Sequence, residues 1–339
     1  MDSITHIALG TVIGEAKLGR QLGYKAALWG AAISTLPDLD VLIYPFLDSA
    51  QELRFHRGIT HSFFFLFLAP PFLGWLINRI EKKENLGWKP WTWLSFWSLM
   101  SHIVIDIPTS YGTQVLKPFS NRLVTTDSIF IIDPFFTALF ISGAVIALLQ
   151  PRSSRLRLWA SRLSLLAGGL YLIWGLGIKV HVNQVFDSSF NHQYGSYEQL
   201  KTIPGPFTTL MWMGYIERND SLYASTFSLF DDSYELEFQG IDKKSDLVEP
   251  YKEDHPVEVL LWFSMGYYKM EKSSNGLYLH DLRFGRSDYW LRDDADYIWS
   301  NRFIFNGDST RVVSFDRSIP ILDSSIDNRR EIWRRFWGE

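Results

Sequence analysis

The chain has no cysteine among its 339 residues. That excludes a disulfide framework and a thiolate metal site, so any metal must be held by His, Asp, Glu and water. It also lacks a basic excess. A net charge of -4 provides no cationic face for a phosphate backbone, and nucleic acid is not expected as a partner. The start lacks the marks of a cleavable leader, since Asp2 stands where a basic segment would be and no small-residue cleavage site follows. Internal repeats and low-complexity segments are missing as well.

What is present divides unevenly. Up to about Val180 long apolar and aromatic runs dominate; beyond it come charges, turn residues and short alternating segments. The expected architecture is an α-helical polytopic membrane domain of four to six helices over residues 1–182, followed by a β-rich extracytoplasmic domain over 183–339. Four runs are about long enough to cross a bilayer as helices: Ser62 to Ile80, Trp91 to Ile107, Ile129 to Leu149 and Leu163 to Val180. Ile4 to Ala16 and Ala26 to Leu36 are shorter. They suit a helical hairpin packed on protein, or a kinked span reaching Phe46 with Pro37 as the break. Trp88, Trp91 and Trp93 suit an interfacial aromatic belt.

Lys and Arg favour cytoplasmic loops, and here they alternate with the runs. One side carries Lys17, Arg20 and Lys25, then Arg79, Lys82, Lys83 and Lys89, then Arg152, Arg155, Arg157 and Arg162; the other has only Arg54, Arg57, Lys117 and Arg122. The first set is assigned to the cytoplasm. This makes the protein a multi-pass inner-membrane protein whose last span delivers the β-rich half outside.

Every chemically suggestive side chain then falls on the outer side. Asp2 and His6 open the first helix, Asp38 and Asp40 close the second, His56 and His61 precede the next run, and His102 and Asp106 end another. Residues four apart share a helix face, so Asp2 with His6 and His102 with Asp106 can each present an imidazole beside a carboxylate. Pro37-Asp38-Leu39-Asp40 leaves two carboxylates in a turn where both are expected to enter one cavity. Gly58 is expected to bend the chain between His56 and His61, and Thr60 to cap the helix beginning at His61. Ionisable groups at membrane depth cost on the order of 2.5–3.5 kcal/mol each, so they need a compensating partner or a function. A metal centre built from His56, His61, His102, Asp106, Asp38, Asp40, Asp2 and His6 supplies both. Imidazole with carboxylate favours zinc, with manganese or iron as alternatives, and eight candidate ligands leave room for more than one ion.

The alternatives are local. Asp2 suits an N-cap, Arg57 either stabilises a phosphoryl transition state or pairs with Asp40 or a lipid phosphate, Glu15 pairs with Lys17 or snorkels, and Gly10 and Gly14 read as close helix packing.

The ordered set Asp2-x-x-x-His6, Pro37-Asp38-x-Asp40, His56-Arg57-Gly58-x-Thr60-His61-Ser62 and His102-x-x-x-Asp106-x-x-Thr109-x-x-Gly112-Thr113 resembles the YdjM-type membrane-bound metal-dependent hydrolase family over roughly residues 1–180. That family is in turn distantly similar to zinc-dependent phospholipase C. The resemblance implies a hydrolase. Joined to the position of the ligands at helix ends, it leads to the expectation of an ester or phosphodiester of a membrane lipid or lipid-linked substrate, attacked by a metal-activated water with Asp38, Asp40 and Arg57 as catalytic groups. A non-catalytic membrane scaffold with a structural His/Asp cluster is the alternative; a transporter is disfavoured because the ligands lie at one side of the bilayer.

In the second half, Val257 to Met270, Gly276 to Phe284 and Arg302 to Phe315 read as strands, with a hairpin turn at Ser274-Asn275-Gly276. His181, His192, His255 and His280 show no ligand spacing. Asp327 to Trp337 reads as an amphipathic helix that packs on the sheet or touches headgroups.

Overall fold

A computed structural model describes residues 1–286, 296–307, 310–318, 330 and 333–338. The chain forms two compact units, one of residues 1–45 and 55–176, the other of 46–54 and 177–339.

The first unit is helical. Helix α1 (Ser3–Leu22) starts where the Asp2 carboxylate accepts from the Thr5 amide at 3.0 Å and stops at Gly23, whose φ of 62° ends the run. Helix α2 (Tyr24–Thr35) folds straight back along it. The two backbones nearly touch: a Cβ added to Gly14 would lie 1.9 Å from the Ala26 carbonyl oxygen, and one added to Gly10 would lie 2.4 Å from that of Gly30. After α2 the chain tightens into a 3-10 segment, Leu36–Phe46, with Pro37 buried at its start. Then come α3 (Ser49–Phe55), a 3-10 turn at Ile59–His61, α4 (Phe63–Ile80), α5 (Trp88–Asp106), α6 (Pro134–Leu148) and the forty-residue α7 (Arg155–Tyr194).

The core joins Leu9, Val12 and Ile13 of α1 to Leu66 and Ile77 of α4, Trp91, Leu94 and Leu99 of α5, and Phe136 and Phe140 of α6. Trp91 is therefore a core residue, while Trp88 and Trp93 remain exposed as an interfacial belt requires. Glu15 is also inward. It accepts two 2.6 Å bonds from the Arg157 guanidinium, tying α1 to α7; neither Lys17 nor solvent is its partner. Loop charges meet at that end, where Lys25 pairs with Glu81 at 2.8 Å and Glu84 at 2.7 Å.

Among the described residues, three helical segments are long and apolar enough to cross a membrane: Tyr24–Phe46, Phe63–Ile80 and Arg155–Tyr194. They also point large side chains outward, among them Phe67, Leu68 and Phe72 of α4 and Leu166, Leu170 and Ile173 of α7. Helix α6 is apolar but shorter.

The second unit holds two four-stranded antiparallel meanders. The first is β1 (Gln199–Pro204), β2 (Met211–Arg218), β3 (Ser221–Ser228) and β4 (Gln239–Asp242). Asn219 and Asp220, both at positive φ, join β2 to β3, with Arg218 opposite Ser221. This is a two-residue turn whose twist matches the strands. The second sheet is β5 (Tyr268–Ser273), β6 (Gly276–Asp281), β7 (Ser300–Phe305) and β8 (Val312–Ser318). Its first hairpin turns at Ser274-Asn275, as the sequence predicts. The first sheet packs Ile203, Tyr215 and Leu222 into one apolar cluster with Tyr267 and Leu282, which flank the β5–β6 hairpin.

Two strand expectations need correction. Val257 to Met270 is a helix, α8 (His255–Ser264), followed by β5. Pro256 in the first turn pre-sets helical φ, and the buried positions Pro256, Val257, Val259, Leu260 and Phe263 follow a helical stripe. Arg302 to Phe315 is two strands paired with each other. Much of the expected C-terminal helix, including Ile332, lies outside the described residues. Of its described part, Arg335 donates to Asp231 and Thr226, so this segment packs on the first sheet.

Candidate metal centre

Five side chains converge at one end of the helical unit. His6 comes from the first turns of α1, Asp38 from the 3-10 segment, His61 from the turn before α4, and His102 and Asp106 from the last turns of α5. One ligand atom from each of His6, Asp38, His102 and Asp106 lies within 4.8 Å of the others. His61 Nε2 completes the group, 3.0 Å from His102 Nε2 and 3.4 Å from Oδ1 of Asp38 and Oδ2 of Asp106. Helical geometry explains the α5 pair: four residues apart, His102 Nε2 and Asp106 Oδ2 stand 3.3 Å apart on one face. His6 stacks on His102 with ring centroids 3.7 Å apart.

Two of the three imidazoles, His102 and His61, are held by their outer nitrogens. His102 Nδ1 donates to the Ser34 carbonyl at 2.6 Å, which turns Nε2 toward the centre. His61 Nδ1 meets the Thr60 hydroxyl at 3.0 Å, and Asp40 Oδ2 lies 3.8 Å from it. Burial pushes the His61 imidazole down to about 4 against the opposing pull of its Asp38 hydrogen bond, so it presents a neutral ring. Neutral imidazoles with a second hydrogen bond behind them are what metal ligation requires.

The unsatisfied groups agree with that. Both ring nitrogens of His6 and Oδ2 of Asp106 are buried without a hydrogen-bond partner among the described residues. Such groups each cost about 1–3 kcal/mol unless something polar engages them. Three histidines and two carboxylates facing one point suit a divalent cation of the zinc, manganese or iron type.

Asp40 and His56 stand beside the five. Asp40 Oδ1 is 3.0 Å from His56 Nδ1, and Oδ2 accepts from the Arg57 amide at 3.0 Å. The expectation that both carboxylates of Asp38 and Asp40 enter one cavity is thus not met. On a helix of three residues per turn, side chains two apart diverge by about 120°. His56 faces Tyr111, with ring centroids 5.2 Å apart, and keeps 21 % of its side chain exposed. Asp38 is 19 % exposed while His6, His61, His102 and Asp106 are sealed, so the centre opens on the side of Asp38. Asp2 is not in the group. Its carboxylate caps α1 and accepts from the Thr5 hydroxyl at 2.6 Å.

Arg57 is the charge partner. Its guanidinium lies 3.2 Å from Asp106 Oδ1, donates to the Thr109 hydroxyl at 2.7 Å and sits over the Tyr111 ring. The Met1 amine also contacts Asp106. The motif bends at Arg57, at φ 51°, and again at Gly58, whose φ of -89° and ψ of -125° lie outside the regular regions. Thr60 does not cap α4. Ser62 does, accepting from the Phe65 amide at 3.2 Å, which frees Thr60 to hold His61.

Sequence reasoning missed the Ser34 carbonyl, which no residue type could have flagged, and the Thr60 contact. It anticipated the loop from Thr109 to Thr113, where the Gln114 amide donates to the Arg57 carbonyl at 3.0 Å and Thr113 bridges to Val124. Asp133 serves as the N-cap of α6, as its Asp-Pro context suggests, and accepts from Tyr171 at 2.7 Å.

Known proteins are similar to part of this chain. The uncharacterized protein YfhP of Bacillus subtilis (strain 168) is 33% identical over 149 residues, covering 40% of this chain and 42% of that protein. The inner membrane protein YbcI of Escherichia coli (strain K12) is 33% identical over 121 residues, covering 35% of this chain and 68% of its own length. The chain therefore spans about two fifths of the first relative and two thirds of the second. No solved structure matches. The profile of the YdjM inner membrane protein family matches residues 1–182, more than half of the chain and every side chain of the centre, and the protein belongs to that family.

Proposed function

We propose that this protein is a multi-pass, metal-dependent membrane hydrolase that cleaves an ester or phosphodiester of a lipid or lipid-linked substrate at the outer face of the inner membrane. The observation that carries the reading is the convergence of His6, His61, His102, Asp38 and Asp106 with buried donor and acceptor atoms that make no hydrogen bond among the described residues. A divalent cation in such a site supplies Lewis acidity toward an acyl or phosphoryl oxygen and makes water a nucleophile near neutral pH. His6, His61 and His102 with Asp106 would hold it, and zinc suits this donor set best. Asp38, at the open side, serves as ligand or as the base that takes the proton of the attacking water.

The Asp40–His56 pair has the arrangement of a proton carrier. With Nδ1 bound to Asp40 and part of the ring exposed, His56 would protonate the leaving oxygen through Nε2. Arg57, held by Thr109 and Tyr111, places a fixed positive charge beside Asp106 for an anionic transition state. The helical unit is then read as four to six membrane segments, with α1, α5 and α6 as candidates beside the three spans Tyr24–Phe46, Phe63–Ile80 and Arg155–Tyr194. The positions of the basic loops favour the site end and the β-rich unit lying outside the cytoplasm.

A second reading has its own observation. Arg57 already compensates the buried Asp106 carboxylate, so the cluster is able to serve as a structural knot of a membrane scaffold. Metal analysis of the purified full chain in detergent, beside His61→Ala and His102→Ala, separates the two. The hydrolase reading expects about one or more divalent ions per chain in the wild type, loss of metal in both variants, and loss of hydrolysis on a phospholipid panel. A metal-free wild type, or variants that lose the metal and keep full function in cells, sinks it.

A further inference from the structure

The helical unit contains a cavity of about 310 Å³ between α4 and α5, walled by Leu66, Phe67, Pro70, Pro71, Trp93 and Phe96. Thr92 is its one polar lining residue, and the Thr92 hydroxyl is occupied, donating to the Trp88 carbonyl at 3.2 Å. We propose that this cavity binds an acyl chain of a membrane lipid, and that the chain belongs to the lipid whose polar group reaches the His/Asp centre. The second clause rests on the hydrolase reading; the first stands on the cavity.

Its location selects the ligand. Helix α4 is a candidate membrane span with Phe67, Leu68 and Phe72 pointing outward, so what meets the cavity is hydrocarbon. A volume at the low end of those used for ligand binding, with walls that are almost wholly carbon, favours an alkyl chain over a polar molecule. The sequence also accounts for the space. Pro70 and Pro71 sit inside α4, where a proline lacks the amide and crowds the preceding turn, and both line the cavity. One turn later Gly74 meets Thr92 so closely that an added Cβ would lie 2.0 Å from its hydroxyl oxygen. The helices meet closely at Gly74, and the cavity lies beside that contact, with Thr92 common to both.

The cavity is aligned with the centre. His61 and Ser62 immediately precede α4, so at 1.5 Å per residue Leu66 to Pro71 lie roughly 5 to 12 Å below the start of the helix. On α5, Phe96 and Thr92 lie about 9 and 15 Å below His102 by the same rise. The Phe67–Phe96 ring pair, centroids 6.4 Å apart, fixes the two helices as antiparallel neighbours at this level. A lipid with its headgroup linkage at Asp38 and His61 would thus lay the upper part of one chain along this cavity.

The test uses the full chain in nanodiscs of phosphatidylethanolamine and phosphatidylglycerol, doped with a phosphatidylglycerol carrying a diazirine within one acyl chain. After illumination, adducts are mapped by peptide mass spectrometry. Adducts should concentrate on residues 66–71 and 92–96, fall about tenfold in a Phe67→Ala/Trp93→Ala double variant, and stay unchanged in Phe72→Ala, an equally exposed aromatic outside the cavity. Adducts spread evenly over α7 at Leu166, Leu170 and Ile173, or undiminished in the double variant, overturn the proposal. Metal content of the same samples keeps the two readings apart. Cavity labelling of a metal-free wild type supports the acyl site and removes the hydrolase reading; metal-loaded protein labelled evenly overturns the acyl site and leaves that reading standing.

Discussion

His56 and His61 are five residues apart in one motif, yet the fold gives them different partners. His61 is sealed and faces His102 and Asp106, whereas His56 is partly exposed and leans on Asp40. Equal roles were the natural expectation from the sequence, because residue type and spacing carry no information on which face of an 11-residue 3-10 segment each carboxylate occupies. The difference has a measurable consequence. His61→Ala should lose the metal, while His56→Ala should retain it and lose about 10²–10⁴-fold in turnover, flattening the acidic or basic limb of the pH–rate profile. Metal content and turnover measured on the same preparations check this; equal metal loss in both variants would return His56 to the ligand set.

A second residue-scale expectation concerns His280, on β6 of the second unit. It meets the Ser300 hydroxyl at 2.8 Å, and burial first, then the neighbouring Lys269 charge, pushes its imidazole down to about 4 from 6.5. The unfolded chain therefore binds a proton below about 6.5 that the folded chain refuses until about 4. Stability should be flat above neutrality and fall by up to about 3 kcal/mol as pH drops through that window. Thermal unfolding at pH 7 and pH 5 should show a larger drop in wild type than in His280→Gln. Equal drops would assign the acid sensitivity to other groups. That His280 and Asp281 are no catalytic pair was readable from strand alternation alone: Asp281 turns instead to Arg283, bonding it at 2.6 Å.

Among the elements, the α1–α2 hairpin shows how small residues define the site. Gly10, Gly14 and Gly30 allow the two helices to approach until backbone meets backbone, and that approach brings His6 on α1 within reach of the segment bearing Asp38. The close packing was legible in the spacing of Gly10 and Gly14; its partner Gly30 and the Glu15–Arg157 bond were not, because they join segments far apart in the chain. Gly14→Leu should cost about 3 kcal/mol or more, since the clash is with a carbonyl that cannot move aside. Gly169→Ala, at an exposed position of α7 with nothing within 4 Å, should instead stabilise by about 0.5–1 kcal/mol. Denaturation midpoints in detergent would distinguish them, and a Gly14→Leu protein as stable as wild type would show that the hairpin is looser than described. The strand expectations failed where periodicity is ambiguous. Residues 257–264 are apolar at nearly every position, a pattern that fits a buried strand or a buried helix, and Pro256 was the discriminating signal.

At the scale of the whole molecule, the arrangement of charge is the remaining handle on function. The candidate ligands gather at one end of the helical unit, and at its other end Lys25, Glu81 and Glu84 form a charged cluster while a Cβ on Gly23 would touch Arg152. A hydrolase acting on lipid from the outer face needs the ligand end outside, and the basic loops would then lie in the cytoplasm. The want of cysteine makes that directly testable, because any single introduced thiol is the only one present. Ser153→Cys probes the basic end, Phe119→Cys the loop beside the centre, and Asn219→Cys the β2–β3 turn; all three positions are exposed. A membrane-impermeant maleimide on spheroplasts should label Phe119→Cys and Asn219→Cys, and reach Ser153→Cys only after the membrane is permeabilised. Labelling of Ser153→Cys in sealed cells, with the other two protected, would invert the protein. The centre would then open to the cytoplasm, and its substrate would have to be sought in the inner leaflet.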